Sequence, residues 1–599
     1  MPLPVPAELT AAHWSAASRA LLAKALAEFS YEELLEPVPD GTDDGGRYRL
    51  DLPDVTYRFR ARRGSYGSWF VDPASITRDG SEDVDTLAFV LDARKTLGLG
   101  GDTAGHLVRE LSATLTADTR LLATAPDAAA LADLPYAELE GYQTGHPWIV
   151  PNKGRQGFSA TDARVFPPEA RARVALPWIA VHDSIADYRG VPGLPADRLH
   201  AGELDETTRE RFTLTLAARG LDPATYHWLP VHPWQWDETT VPLFAADVAH
   251  QRIVPLGEGP DDYLAQQSIR TFSNVSHPHR HHVKLPLSVL NTLVWRGLPT
   301  ERTVAAPAVT AWVLGLRDAD PFLAEETRVI LLGEVASVTV RHQVLESLAG
   351  VPYQYRELLG AIWRQPLPAQ LDDGERARTL ASLLCVDPAG RSLLAELVAR
   401  SGRTPREWLR RFLHAMLPPL LHFLYRYGVA FSPHGENAIV VFDAEDTPTR
   451  LAVKDFVDDV NLADLSARPD AAPPEWNTLP AQVGEVLLRE PPAFLCQFLH
   501  SGLFVGHFRY LAELARVHLD VPTEEFWDLV RAEILAYQAR FPELSDQFEI
   551  FDLLTPRIER LCLNRNRLVL DGYRDRPERP HAAVHGTVPN PLAVHPRAD

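Results

Sequence analysis

The chain has 599 residues, 45% of them hydrophobic and 23% charged, ordinary for a globular protein and too long for one small core, so two or three subdomains are expected. A formal net charge of -21 sets the bulk surface against nucleic-acid phosphates, and any anionic ligand then needs a local basic pocket. Cys385, Cys496 and Cys562 are scattered without CxxC spacing, which excludes a disulfide framework and a zinc site and points to a reducing cytoplasm; no stretch reaches the roughly 18 apolar residues of a membrane span, and no signal peptide is expected.

Residues 10 to 36 carry Leu21, Leu22, Ala25, Leu26 and Phe29 at helical spacing. A Gly/Asp-rich turn then leads into RYRLDL and VTYRFRARR, whose alternation predicts a hairpin, and residues 84 to 140 return to helix. This region reads as a helical cap with a small sheet. Next comes GHPWIVPNKGRQGFS, Gly145 to Ser159. Its glycines permit close backbone approach to a ligand, and His146, Lys153 and Arg155 supply donors suited to phosphate or carboxylate. The spacing is not that of a P-loop, and a structural turn with basic residues at the surface is the competing reading. WLPVHPWQW around His232 reads as a buried structural corner.

Asp262 to Pro299 is the stretch richest in chemistry. QQSIRTFS and HHVKLPLSVLNT are expected to form two strands flanking a polar loop. Alternation puts Ser268 and Arg270 on one face; Lys284 and Ser288 share a parity, as do Thr292 and Arg296. Fixed cations with hydroxyls, Thr271 among them, suit a polyanion such as a nucleoside triphosphate, although an ordinary amphipathic hairpin has the same pattern. The HPHRHH run (His277, His279, His281, His282) is crowded and has no carboxylate or thiolate nearby in sequence, which argues against a metal site. Of 59 Lys+Arg only five are lysine, so a retained lysine suggests a need for a compact ammonium. Lys153, Lys284 and Lys454 fall in the motifs; Lys24, on the helical cap, is expected to be silent in catalysis.

From Thr404 the sequence predicts one long helix, with Thr404 as N-cap, Pro405 at the first position, Gly428 as C-cap and a kink at Pro418 and Pro419. The loop SPHGEN and the β-like runs AIVVFD and LAVKDFVDDV follow. His434, Glu436 and Asn437 can there meet Lys454 and Asp455, and the Asn and Asp oxygens suit Mg²⁺ bridging nucleotide phosphates. The region beyond is largely helical.

In combination, GHPWIVPNKGRQGF, LPVHPWQW, QQSIRTFSNVSHP, HVKLPLSVLNTLVWRGL, SPHGENAIVV and VKDF resemble the aerobactin-synthetase (IucA/IucC) family of siderophore synthetases. DYLAQQSIRTF, SVLN, PHGEN, CLNR and the terminal NPLA are most similar to its desferrioxamine-synthetase type. The resemblance implies an α+β hand of thumb (1–140), fingers with an antiparallel nucleotide-binding sheet (141–355) and a mainly helical palm (356–599), expected as a cytoplasmic homodimer. It implies ATP-dependent adenylation of a small-molecule carboxylate and its condensation with an amine, without nucleic acid or membrane partners. His146, Lys153, Arg155, Ser268, Arg270, Thr271 and Lys284 would bind ATP. Asn437 and Asp455, with Glu436 a weaker candidate, would hold Mg²⁺. Thr292, Arg296 and His434 would meet the acyl substrate, with Arg296, His434 and Lys284 in the catalytic roles. Ile149 and Val150, where many members carry a second His-Pro pair, favour the desferrioxamine-like branch, whereas Thr292 resembles citrate-using members. Apolar Leu293, Val294, Trp295 and Leu298 beside Arg296 favour a slender succinyl-hydroxamate monoacid over citrate. The distant alternative, an iron-siderophore binder or reductase, would need a cysteine cluster.

Overall fold

Helix Ala11–Tyr31 starts where Thr10 accepts a hydrogen bond from the His13 amide, and buries Leu21, Leu22, Leu26 and Phe29. The structure is a computed structural model that describes residues 5–41, 46–570, 572–576, 578 and 582–593. Strands Arg47–Leu52 and Val55–Arg63 pair antiparallel as their alternation predicts, with Leu50 opposite Tyr57 on the buried face. They belong to a small antiparallel sheet of five strands, beside which helix Gly101–Thr124 packs on the first helix. The apolar core of this region continues into the C-terminal helices, where Tyr66 meets the face of Trp527 edge-on at 5.1 Å. The first and last parts of the chain therefore share one core.

An eight-stranded, wholly antiparallel sheet forms the middle layer with a core of its own. Strand Leu359–Arg364 joins it from beyond residue 355, between Glu334–Val340 and His282–Lys284. Conversely, Ile330–Leu332 pairs parallel with Pro448–Lys454 in a four-stranded sheet with Ala438–Phe442 and Arg376–Thr379. The two sheets thus exchange strands, which ties the central stretch to the SPHGEN hairpin.

Helix Pro405–Tyr427 follows its caps. Thr404 accepts from the Glu407 amide, and Gly428 sits at φ 59 with its amide on Leu424 and Phe423. It runs as one helix through Pro418 and Pro419. Strands Ala438–Phe442 and Pro448–Lys454 are joined by a turn in which Asp443 accepts from the amides of Glu445 and Thr447.

The two expected strands of the central stretch are interrupted. Residues 266–270 form a turn, with the Ile269 amide on Gln266 and the Gln266 amide on Thr271, so Ser268 and Arg270 are not alternate residues of a strand. HHVKLPLSVLNT divides into His282–Lys284, inside the large sheet, and Leu287–Asn291, in a separate two-stranded sheet with Val294–Arg296. The division falls at Leu285-Pro286, where proline has no amide to donate, and it takes Lys284 and Ser288 into different sheets.

Candidate active site

Strand register gathers the first group of side chains. Thr271 lies opposite Lys284, and Lys284 opposite Ile362; two residues on, Arg364 shares that face and lies opposite Glu334. Lys284 is buried and touches three carboxylates: Asp455, Asp458 at 2.9 Å and Glu334 at 3.5 Å. Arg364 reaches Asp455 at 3.1 Å and Glu334 at 3.4 Å. Arg270 lies 3.4 Å from Asp458 and bonds the Gly297 carbonyl, while Arg302 bonds the carbonyls of Val457 and Asp458, each at 3.2 Å. Burial opposes ionisation of Asp455, but Lys284 and Arg364 overcome it and hold the carboxyl well below its usual range. Asp459 goes the other way. Burial, reinforced by the charges of Asp455 and Asp458, lifts it well above the usual value. Asn437 donates to Asp459 at 2.6 Å, and Lys454 lies 3.8 Å from Glu436 and 3.9 Å from Glu140.

Four residues of the candidate motifs hold left-handed backbone, as do others elsewhere in the fold. Ile269, a buried β-branched residue, sits at φ 61 between Ser268 and Arg270; Thr292 is at φ 58, Asp455 at φ 75 and Arg155 at φ 40. Each such conformation costs on the order of 1–3 kcal/mol and persists only where its surroundings impose it. The Ile269 turn leaves the Ser268 hydroxyl oxygen buried without a hydrogen bond, and Gln266 Oε1 and Arg270 Nε beside it are likewise unpartnered. An orphaned buried hydroxyl beside Arg270 and Lys284 is suited to an anionic oxygen.

A second group forms around Arg296. Its guanidinium bonds the Asn291 carbonyl at 3.1 Å and the Thr292 hydroxyl, so the expected pair does meet. His146 Nδ1 accepts from the amides of Trp148 and Ile149, and its carbonyl receives Lys24 Nζ at 2.6 Å and Asn152 at 3.0 Å. Burial drives the His146 ring strongly towards the neutral form, and the positive charges of Lys24, His434, Arg509 and Arg296 act in the same direction. Burial likewise lowers His434, whose Nδ1 accepts from the Glu436 amide. Both imidazoles have Nδ1 occupied as an acceptor and so carry their proton on Nε2 when neutral.

Lys153 and Arg155 are engaged elsewhere. Lys153 binds Asp118 at 2.8 Å, Asn152 at 3.2 Å and the Thr144 carbonyl, and Arg155 pairs with both oxygens of Glu169. These contacts tie the first motif to helix Gly101–Thr124 and to Glu169; His146 is its member on which the Arg296 charge acts. Glu334, Arg364, Arg302, Asp458 and Asp459 are residues the sequence reading did not use. VDDV stood directly after the KDF motif, whereas nothing local marked Arg364. Lys24 stands on the first helix, as expected, and its ammonium reaches the His146 carbonyl of the first motif. His232 is the buried corner expected, capping the next turn through the Trp234 amide. An open cavity of ≈ 930 Å³ on the outer face of helix Thr300–Ala319 is lined by none of the candidate residues.

Residues 135–385 match the IucA / IucC family, and residues 406–576 match the family described as ferric iron reductase FhuF-like transporter. The rhizobactin siderophore biosynthesis protein RhbF of Rhizobium meliloti is 41% identical over 97% of this chain and 96% of its own. That settles the family. The chain belongs to the IucA/IucC siderophore synthetases. Putrebactin synthase of a Shewanella species is 34% identical over 98% of this chain and 93% of its own. The structure of aerobactin synthetase IucC from Klebsiella pneumoniae superposes with a TM-score of 0.85 at 31% identity, covering 97% of this chain and 98% of that one. The α+β fold is therefore that of the family, and relatives named as synthetases make this member a ligase of siderophore biosynthesis. Among the described residues no helix is long and apolar enough to cross a membrane.

Proposed function

We propose that this protein joins a carboxylate to an amine at the expense of ATP, releasing AMP and pyrophosphate. The observation that carries the reading is the buried lattice of Lys284, Arg364 and Arg270 against Glu334, Asp455 and Asp458, with buried Asp459 and an orphaned Ser268 hydroxyl beside it. Its cations and hydroxyls suit phosphate oxygens, and its excess of carboxylates suits a divalent cation. Asp455, Asp459 and Asn437 would hold Mg²⁺, with Glu436 at the edge; all are hard oxygen donors. Among the described residues no three His, Cys, Asp or Glu side chains converge as a ready metal cage, which suits an ion held by one or two carboxylates and the phosphates themselves. When bound, it neutralises charge on the phosphates.

A carboxylate oxygen of the acyl donor attacks the α-phosphorus, and pyrophosphate leaves. The amine nitrogen then attacks the acyl carbon and loses a proton; AMP departs with the oxygen that came from the carboxylate. Lys284, Arg364, Arg270, Ser268 and Thr271 hold the polyphosphate in a pocket formed before the charge moves. Arg296, braced by Thr292, grips the reacting carboxylate. His434, with its proton on Nε2, donates to the acyl oxygen and keeps it in line.

The acyl donor is best read as a polycarboxylate such as citrate. The sequence reading preferred a succinyl-hydroxamate monoacid because Leu293, Val294 and Trp295 are apolar. In the fold, however, polar groups reach the Arg296 region from distant segments: the Arg296 charge acts on the rings of His146 and His434, and Lys24 binds the His146 carbonyl. The monoacid remains the second reading, supported by the apolar strand Val294–Arg296 itself. Three unpaired buried thiols agree with a reducing cytoplasm, and we expect a homodimer. Incubation with ATP, Mg²⁺, a diamine and either citrate or a succinyl-hydroxamate monoacid should yield an amide by mass and AMP. ADP as the sole nucleotide product, or nucleotide release that is independent of any acid, would overturn the reading.

A further inference from the structure

Each of the other four lysines has a carboxylate within 4 Å: Lys95 has Asp54, Lys153 has Asp118, Lys284 has its three, and Lys454 has Glu140 and Glu436. Lys24 differs. Among the described residues its ammonium has one hydrogen-bond partner, the His146 carbonyl at 2.6 Å, and no carboxylate at ion-pair distance. It is only partly covered, yet it projects from a helix whose neighbouring residues are buried. Glu28, one turn along that helix, is taken by Arg509 and Tyr510, and Asp118 is taken by Lys153. A cation that the protein leaves without an anion, bound to the carbonyl of His146, whose ring feels the charge of Arg296, is a place prepared for a ligand's anion.

We propose that Lys24 binds a carboxylate of the acyl donor other than the one that is activated, and so selects polycarboxylates over monoacids. This rests on the function proposed above. Arg296 and Lys24 would hold the donor at two points, one from the fingers and one from the thumb, closing the first motif over it through the shared His146. Burial and the nearby Lys153 charge lower the Lys24 ammonium to about 7, partly opposed by Asp118 and Glu28, with neutral His146 beside it. A bound carboxylate restores the proton. Donor affinity should therefore weaken as the pH rises through this region and the free enzyme loses the ammonium.

The test compares wild type, Lys24→Met and Lys24→Arg in ATP–pyrophosphate exchange, with citrate and with citramalate, which lacks one terminal carboxylate. The KM for citrate in Lys24→Met should rise about tenfold to a hundredfold, the range for a hydrogen bond to a charged group. The KM for ATP and the rate at saturating citrate should stay near wild type, Lys24→Arg should recover most of the loss, and the preference for citrate over citramalate should collapse. An unchanged citrate KM, or equal losses with both acids, overturns the assignment while leaving the proposed function intact. If the wild type shows no citrate-dependent exchange but accepts a monoacid, the polycarboxylate reading fails and the Lys24 assignment with it. Unfolding midpoints of the variants separate misfolding from lost binding; a folded Lys24→Arg that fails to recover affinity where Lys24→Met loses it also counts against the assignment.

Discussion

Lys284→Met removes the one cation that touches Glu334, Asp455 and Asp458 together, while keeping most of the aliphatic stem. Arg364 still reaches Glu334 and Asp455, and Arg270 and Arg302 still reach Asp458, but no remaining group spans the three. Two losses follow. Breaking a buried ion pair from one side costs about 3–5 kcal/mol of stability because the partner charges stay buried. Losing a preorganised donor to the polyphosphate slows adenylation by about a hundredfold, or about 2.7 kcal/mol of barrier. Lys95→Ala is the control, since that side chain is 74% exposed and lies outside the site. ATP–pyrophosphate exchange and thermal unfolding measure the two losses. The pH dependence has a definite sign. Asp455 has a lower value folded than unfolded, where it is about 3.9, so its contribution is present above that pH and is lost as the pH falls further. The stability gap between wild type and Lys284→Met should therefore narrow under acid. Exchange within about fivefold of wild type, which is under half the barrier predicted here, together with an unfolding midpoint no lower than that of Lys95→Ala, would refute the reasoning.

Three further outcomes are expected. Gly297→Ala brings a Cβ to 2.7 Å from the Glu357 carbonyl oxygen, beside the carbonyl that holds Arg270; an overpacking cost of about 1–3 kcal/mol should appear as a lower unfolding midpoint, with ATP affinity reduced as Arg270 shifts. Asp459→Asn removes a carboxylate whose charged form burial and its acidic neighbours disfavour, so thermal stability at neutral pH should barely change while the Mg²⁺ concentration for half-maximal exchange rises about tenfold or more. Arg296→Lys keeps the charge but not the two-point grip, and should raise the acyl-donor KM more than the ATP KM in steady-state kinetics.

What was legible in the sequence was local. Thr404, Pro405 and Gly428 bound the long helix because caps are decided by a residue and its near neighbours, and RYRLDL with VTYRFRARR pairs because alternation is a property of each strand. The break in HHVKLPLSVLNT was also written in the chain, as Pro286, which has no amide to donate to a continuous ladder. Arg364 and Glu334 were not legible, since each becomes part of the site only through register with strands tens of residues away. The helix that carries Lys24 was readable, but its contact was not, since the His146 carbonyl it meets lies 122 residues further on. The apolar sequence neighbours of Arg296 describe only its own strand, because His146 and His434, on which its charge acts, come from other elements.

The central claim is that the acyl donor's own carboxylate attacks ATP at the α-phosphorus. Citrate labelled with ¹⁸O in its carboxylates, incubated with the protein, ATP, Mg²⁺ and a diamine in unlabelled water, tests this by mass spectrometry of the nucleotide product. The account predicts AMP bearing one heavy oxygen in step with amide formation. Label recovered in inorganic phosphate alongside ADP would mean that the γ-phosphoryl group was transferred instead, and would contradict it.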